Sequence, residues 1–168
     1  MDGNQTNSDH LWANGLNSDR LRKIRPEWQQ CMWKLIHRIQ FTEIEEAKVK
    51  LRSPSCRICG EENIERIHLY FQCDGVTDIG KKFLRVLRVF DPQYSQKEIL
   101  NFKGKEEHPQ LYWLIANTLY YIDKNRRRCN ADLYSAYMRS EFEVARLSKF
   151  ADDDMQTILQ IMVKLLQE

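Results

Sequence analysis

The sequence predicts an all-α protein, a helical bundle, and two observations lead to this fold class. Apolar residues recur at intervals of three and four along most of the chain, as they do on the buried face of an α-helix. No segment shows the sustained alternation of apolar and polar residues that a half-buried β-strand requires. With 168 residues, of which 42% are hydrophobic, the chain suits one domain with a sizeable core.

The N-terminal residues differ from the rest of the chain in composition. They are rich in Asn, Asp, Ser and Gly, so we expect a flexible polar tail at 1–19 and a single helical domain at 20–168. Trp12 offers this tail an apolar anchor, on the body of the protein or on a partner. The chain shows neither a secretory signal nor an apolar run of the roughly 18 residues that span a membrane. We therefore expect a nuclear or cytoplasmic protein without a membrane partner.

Two helices are expected in the first third of the chain. Pro26 suits the first turn of a helix, where its missing N–H group has no partner to lose. Apolar residues then follow at helical spacing over 27–40. Thr42 and Glu45 match a capping box, in which each side chain bonds the backbone of the other residue, and this predicts a shorter helix over 42–51.

Six further helical segments are expected after the first third. Their ranges are 67–71, 79–90, 95–102, 108–126, 132–150 and 154–168. The clearest pattern lies in 108–126, where the residues of one face are Leu111, Leu114, Ile115, Leu119 and Ile122. Asp132 is expected to cap the helix that follows, because a side-chain carboxylate can accept hydrogen bonds from the first free N–H groups.

Four residues in the middle of the chain have the spacing of a metal site. Cys56, Cys59, His68 and Cys73 form the pattern C-x2-C-x8-H-x4-C, which offers three thiolates and one imidazole. Four protein ligands complete a tetrahedral shell, so we predict one structural zinc ion held by a module at about 54–75. The alternative interpretation is three buried cysteines beside an unrelated histidine.

The number of cysteines also bears on the compartment. Five cysteines, three of them at metal-ligand spacing, fit a reducing compartment better than a disulfide framework. Cys31 lies in an apolar helical pattern and is expected to be a small buried hydrophobe. Cys129 follows three arginines, which leaves two possibilities: a thiol of lowered pKa, or an exposed bystander thiol.

The residues around the metal pattern resemble a known family. Trp-Lys-Leu-Ile-His-Arg at 33–38 precedes Cys-Arg-Ile-Cys-Gly-Glu-Glu-Asn-Ile-Glu-Arg-Ile-His-Leu-Tyr-Phe-Gln-Cys at 56–73, and Tyr-Tyr-Ile-Asp-Lys-Asn-Arg follows at 120–126. This order is similar to the zinc-binding domain downstream of the reverse transcriptase in non-LTR (LINE-type) retrotransposons, and the resemblance covers roughly 27–150. It implies a role in holding template RNA or target DNA.

The chain departs from the family in ways that limit its activity. It carries no aspartate pair like the one that holds the catalytic metals of a polymerase, and no endonuclease motif. The resemblance therefore implies a free-standing C-terminal module, either domesticated by a host genome or cut from a longer polyprotein. Since His10, His37 and His108 also lack a nearby nucleophile in a catalytic motif, we predict that the protein is not an enzyme.

Charge clusters, rather than net charge, are the argument for nucleic-acid binding. Lys plus Arg number 26 against 24 for Asp plus Glu, whereas proteins that neutralise many phosphates are usually far more basic. The candidate nucleic-acid-binding residues form three clusters: Arg20, Arg22, Lys23 and Arg25; Lys81, Lys82, Arg85 and Arg88; and Lys124, Arg126, Arg127 and Arg128. The alternative is that these charges are the ordinary solvated faces of helices.

A second functional hypothesis is a protein-interaction or assembly module that does not bind nucleic acid. The segment 154–168 is apolar over more of its circumference than one core-facing stripe requires. Such a helix can complete a partner's groove or a homodimer, as can the tail that carries Trp12. The alternative is that 154–168 closes the core of this domain.

Overall fold

The computed structural model describes residues 25–36, 42–100, 110–147, 160–161 and 163–164. Within these ranges the chain is helical and contains no β-strand, which confirms the all-α prediction. The helices are α1 (Pro26–Ile36), α2 (Glu43–Val49), α3 (Thr77–Phe90), α4 (Gln96–Leu100), α5 (Gln110–Asn125) and α6 (Ala131–Leu147). A π-helical turn (His68–Gln72) precedes α3, and a 3-10 turn (Arg126–Arg128) follows α5.

Some predictions fall outside the described residues. These are the tail at 1–19 with Trp12, three of the basic residues (Arg20, Arg22 and Lys23), and most of the segment 154–168. Residues 160–161 and 163–164 are helical, and Val163 packs against the core. None of the helices in the described ranges has the length and apolar character needed to cross a membrane.

Aromatic side chains join α1, α5 and α6 into one core. Trp28 of α1 is 1% exposed, and its ring meets that of Trp113 in α5 edge-on, with centroids 5.6 Å apart. Trp113 in turn contacts Phe142 of α6 at 5.4 Å. Aromatic pairs at these distances add specific attraction to the burial of large apolar surface. The predicted apolar face of α5 is buried as expected, at Leu111, Leu114, Ile115, Leu119 and Ile122.

Two pairs of polar side chains bridge α5 and α6. The hydroxyl groups of Thr118 and Tyr134 lie 2.8 Å apart, and the Tyr137 hydroxyl donates to the side-chain oxygen of Asn117. Burial raises the pKa of Tyr134 and Tyr137 further above neutral pH. Because a buried hydroxyl without a partner would destabilise the fold, these pairs fix the register of α6 on α5.

The caps of the helices confirm one prediction and correct another. Thr42 and Glu45 form the predicted capping box at the start of α2. Asp132 is not the cap of α6. Instead, the side-chain oxygen of Asn130 accepts hydrogen bonds from the N–H groups of Asp132 (2.7 Å) and Leu133 (3.1 Å). The helix begins one residue earlier than predicted, at Ala131, so Asp132 already lies in its first turn.

The core predicts different consequences for two tryptophans of α1. Trp28→Ala removes a buried ring from the junction of three helices, so we expect the free energy of unfolding to fall by about 3–5 kcal/mol. Trp33→Ala is the matched control, because that ring is 42% exposed and its loss should change stability much less. Urea denaturation monitored by circular dichroism measures both. Equal losses for the two variants would contradict this account of the core.

Candidate metal centre

The four predicted metal ligands converge in the structure. Cys56 and Cys59 lie in the loop after α2, His68 begins the π-helical turn, and Cys73 ends it. One donor atom from each residue lies within 4.8 Å of those of the others. Cys56, His68 and Cys73 are buried, whereas Cys59 is exposed. The group is therefore able to hold a metal ion near the protein surface.

Two of the distances between donor atoms are close to those of a zinc site. The sulfur atoms of Cys56 and Cys73 are 3.6 Å apart, and the Cys59 sulfur lies 3.3 Å from Nε2 of His68. Tetrahedral zinc with its usual bond lengths requires about 3.8 Å between two sulfurs and about 3.5 Å between sulfur and nitrogen. The sulfur pair is far beyond the roughly 2.05 Å of a disulfide, and all five cysteines are free. This donor set, three thiols and an imidazole, is compatible with zinc.

The π-helical turn explains how the last two ligands share one side. In an α-helix, residues five apart are rotated by about 140° and point away from each other. Here the chain makes a wider turn, in which the N–H group of Cys73 donates to the carbonyl of His68 at 2.8 Å. The carbonyl of Cys73 then accepts from Val76 and Thr77 at 2.8 and 2.9 Å, so α3 starts directly on the last ligand.

Backbone hydrogen bonds shape the loop that holds the first two ligands. The N–H group of Cys56 donates to the carbonyl of Glu61 (2.8 Å), and that of Gly60 donates to the carbonyl of Cys56 (3.0 Å). Gly60 has φ +80°, a conformation that glycine adopts without strain. The N–H group of Ile58 lies 3.4 Å from the Cys56 sulfur. The loop thus directs amide hydrogens at a thiol that must become a thiolate to bind metal.

The thiols of the cluster have different acidities. Burial, together with the neighbouring Cys56, raises the pKa of Cys73 to about 12. Burial also opposes ionisation of Cys56, but hydrogen bonds from the amides of Cys59 and Ile58 and from His68 lower its pKa to about 7. One thiolate therefore opposes formation of the next, since their negative charges repel. A divalent cation removes this opposition, because its charge balances the thiolates that it binds.

Glu61 orients the histidine ligand, a role that the sequence pattern did not indicate. Its carboxylate lies 3.0 Å from Nδ1 of His68, while Nε2 of the same ring faces the Cys59 sulfur. A carboxylate that accepts a hydrogen bond from Nδ1–H selects the tautomer whose Nε2 lone pair is free for metal. Glutamates in such a loop are usually solvated charges. Only the folded loop shows which of them contacts the imidazole ring of His68.

A close contact joins the metal module, residues 54–75, to the end of α5. A Cβ atom on Gly75 would lie 2.9 Å from Cγ2 of Ile58 and 3.5 Å from the carbonyl oxygen of Arg126. The first distance is too short for a Cβ atom and the second is an ordinary contact, so glycine lets the turn after Cys73 lie close to the ligand loop and beside the 3-10 turn. The contact brings the basic segment 126–128 beside the metal module.

The predicted basic clusters differ in their surroundings. Arg25 pairs with Glu141 of α6 at 2.8 Å and stacks over Trp28 of α1, so its contacts join these two helices. On α3, Lys81, Arg85 and Arg88 are exposed and Lys82 is half-buried, as expected for a solvated helix face. Lys124 is exposed with its ammonium 5.8 Å from the Tyr120 ring centre, Arg127 and Arg128 are exposed, and Arg126 is half-buried against Glu43.

A further group of cations was not among the candidates. Lys50, Arg52 and Arg57 all pair with the carboxylate of Glu46 on α2. The sequence shows only that these cations lie just before and between the first two candidate ligands. It does not show that all three pair with one carboxylate. Arg57 joins this group because the folded ligand loop brings it back onto α2.

The two cysteines outside the metal centre are partly as predicted. Cys31 is buried, and burial raises its pKa to about 12, which confirms its role as a small hydrophobe. Both possibilities for Cys129 were wrong. The residue is half-buried rather than exposed, and burial raises its pKa to about 11 despite the opposing charge of Arg126.

Comparison with known proteins identifies no relative of this chain. The chain matches no family model, no curated protein sequence and no solved structure. The class of protein is therefore defined by what the chain itself carries, which is an all-α fold with a Cys3His centre compatible with zinc.

The centre predicts which cysteines hold metal. Cys56→Ser and Cys73→Ser each remove one of four donors, so we expect both variants to lose the single zinc ion and much of their helical signal. Cys129→Ser is the control, because this cysteine lies outside the cluster, and it should retain zinc. Metal analysis of the purified proteins, with circular dichroism, provides the measurement. Unchanged metal content in both ligand variants would refute the zinc assignment.

The contact between Glu61 and His68 predicts an effect on metal affinity. Glu61→Gln keeps the shape of the side chain but removes its charge, and we expect zinc affinity to fall about 10- to 100-fold. Glu62→Gln is the matched control in the neighbouring, exposed position. Competition with a chromophoric chelator measures both affinities. Equal affinities would mean that the carboxylate of Glu61 does not orient the ligand.

Proposed function

We propose that this protein is a non-catalytic zinc-binding module that binds nucleic acid, RNA or DNA. The proposal includes a relationship to the module downstream of the reverse transcriptase in non-LTR retrotransposons, here in free-standing form and acting in the nucleus or cytoplasm. The resemblance of 33–38, 56–73 and 120–126 to that module supports the relationship.

The composition of the centre supports binding rather than catalysis. Three thiols and an imidazole supply four protein donors, which is the full number for tetrahedral zinc. A catalytic zinc keeps a position for water or substrate, whereas a structural zinc has protein ligands at every position. In this proposal the ion holds the ligand loop and the π-helical turn together, and other residues contact the partner.

The convergence of basic side chains on α2 is the observation that carries the nucleic-acid proposal. Three carboxylates of this helix face five cations from separate segments: Glu43 pairs with Arg126, Glu45 with Arg66, and Glu46 with Lys50, Arg52 and Arg57. The five cations outnumber the three carboxylates with which they pair, which leaves an excess of two positive charges within this group of side chains. Concentrated positive charge favours association with phosphates.

Two exposed arginines extend this surface. Arg127 and Arg128 lie in the 3-10 turn next to Arg126, and the backbone of that turn lies against Gly75 of the metal module. A guanidinium group can donate two parallel hydrogen bonds to one phosphate, which makes arginine well suited to a nucleic-acid backbone. We assign these two residues to phosphate contacts.

A protein-interaction module is the second candidate function, and a different surface favours it. Leu133, Val144 and Leu147 lie on α6 and are 61%, 51% and 76% exposed. Their spacings of eleven and three residues put them along one stripe of the helix. An exposed apolar stripe of this kind fits the groove of a protein partner.

The nucleic-acid proposal predicts a salt-dependent affinity that depends on the 3-10 turn. Replacing Arg127 and Arg128 by Gln should weaken binding and reduce the slope of log affinity against log salt by about 2, one for each lost phosphate contact. Replacing Lys97 and Arg139, exposed cations on α4 and α6, by Gln is the control of equal charge. Fluorescence anisotropy with labelled single-stranded RNA and with labelled duplex DNA measures the affinity.

The outcome separates the two candidate functions. If the zinc-loaded protein binds neither probe at low salt, the nucleic-acid proposal is wrong and the stripe on α6 becomes the surface to test. Equal weakening by the arginine pair and by the control pair would show that binding follows net charge, without a defined site at the 3-10 turn.

A further inference from the structure

The helix α2 ends in a left-handed residue that is leucine rather than the usual glycine. The N–H group of Leu51 donates to the carbonyl of Lys48 (3.3 Å), and that of Arg52 donates to the carbonyl of Ala47 (3.0 Å). These two hydrogen bonds define a Schellman motif, which ends many helices. The motif needs a left-handed residue, usually glycine, and here that residue is Leu51, with φ +50°.

Leu51 does not stabilise the fold. The left-handed conformation crowds the Cβ atom of any L-residue, so leucine is strained where glycine is not. Its side chain is 94% exposed, so burial does not offset the strain. Val49, one residue before the cap, is also 76% exposed. Two apolar side chains therefore project into solvent at the end of α2, and at Leu51 glycine would make the protein more stable.

Cations surround these two apolar side chains. Lys48, Lys50 and Arg52 alternate with them in sequence and are exposed. Arg57, held between two metal ligands, comes to the same place through its pair with Glu46. Lys50, Arg52 and Arg57 share that single carboxylate, whose side chain is only 12% exposed, which leaves an excess of two positive charges. We name residues 48–52 with Arg57 the basic tip.

We propose that the basic tip enters a nucleic-acid duplex, with Leu51 inserted at a base step and Lys50, Arg52 and Arg57 on the flanking phosphates. This inference rests on the proposed function and assigns the part of the surface that deforms the nucleic acid. Leucine is among the apolar side chains that proteins insert between base pairs, where it partly unstacks them and kinks the duplex.

The charge around the apolar side chains favours a duplex over the other possible partners. Phosphates flank every base step on both strands, so cations on either side of Leu51 find partners whichever way the side chain enters. Two apolar side chains offer little area for anchoring in a lipid bilayer, where binding scales with the apolar surface inserted. The metal module fixes Arg57 before binding, which reduces the entropy lost when it meets a phosphate.

Leu51→Gly tests the proposal, because it should move stability and binding in opposite directions. Glycine relieves the strain, so the midpoint of urea denaturation should rise. Loss of the inserted side chain should lower affinity for duplex DNA about tenfold, the scale of one buried apolar side chain. The duplex carries 2-aminopurine at a flexible pyrimidine–purine step, where unstacking raises its fluorescence. The wild-type protein should produce this rise and Leu51→Gly should not.

Two further variants control the experiment. Leu51→Met keeps an apolar side chain of similar volume and should retain both affinity and the fluorescence rise. Val89→Ala removes an exposed apolar group from α3, where Val89 is 55% exposed, and should leave both unchanged. A merely structural role for Leu51 would not produce a more stable protein that binds less well.

The other outcomes overturn the proposal in distinguishable ways. If the wild-type protein binds duplex DNA and Leu51→Gly binds equally well without loss of the fluorescence rise, the insertion is wrong and the proposed function stands. If the wild-type protein binds single-stranded RNA but not duplex DNA, the insertion is likewise wrong and the proposed function stands. If the wild-type protein binds neither duplex nor single strand, the proposed function fails as well. If Leu51→Gly instead loses binding only to phosphatidylserine vesicles, the basic tip is a membrane contact.

Discussion

The convergence of four donor atoms on one point is the constraint on which the rest of the structure depends. Cys56 and Cys59 come from a loop after α2, whereas His68 and Cys73 come from the turn that starts α3. A structural zinc, which we propose for this centre, contributes about 10 kcal/mol or more of apparent binding energy, comparable with the whole stability of a small domain. The centre therefore links the loop that follows α2 to the start of α3.

Electrostatic pairs attach α2 to this framework. Glu43 and Arg126 are separated by 83 positions and pair with little exposure to solvent, at 10% and 16% of their side chains. Burial opposes ionisation of Glu45, yet hydrogen bonds from Thr42 and the charge of Arg66 hold its pKa below the ordinary value. Partly buried pairs are screened less by salt than exposed ones. The carboxylates of α2 thus hold arginines from distant segments in place. With seven residues, α2 has too little apolar surface to do this by packing alone.

Stability and interaction compete at the edge of the same helix. The capping box at Thr42 stabilises the start of α2, whereas Leu51 strains its end and remains in solvent. At most other positions in the described ranges, residue types match the helix interiors and caps in which they lie. This disagreement supports the interaction that we propose for the basic tip, because local rules are most often broken at functional sites.

The sequence by itself determined the fold class, the apolar faces and the four candidate ligands, because these depend on spacing along the chain. It placed the capping box of α2 correctly and misplaced the cap of α6. Only the tertiary structure decided that His68–Gln72 is a π-helical turn, that Glu61 faces His68, and that Arg57 meets Glu46. Periodicity records which side of a helix is apolar. It contains no information on which distant charge a folded loop will bring to that side.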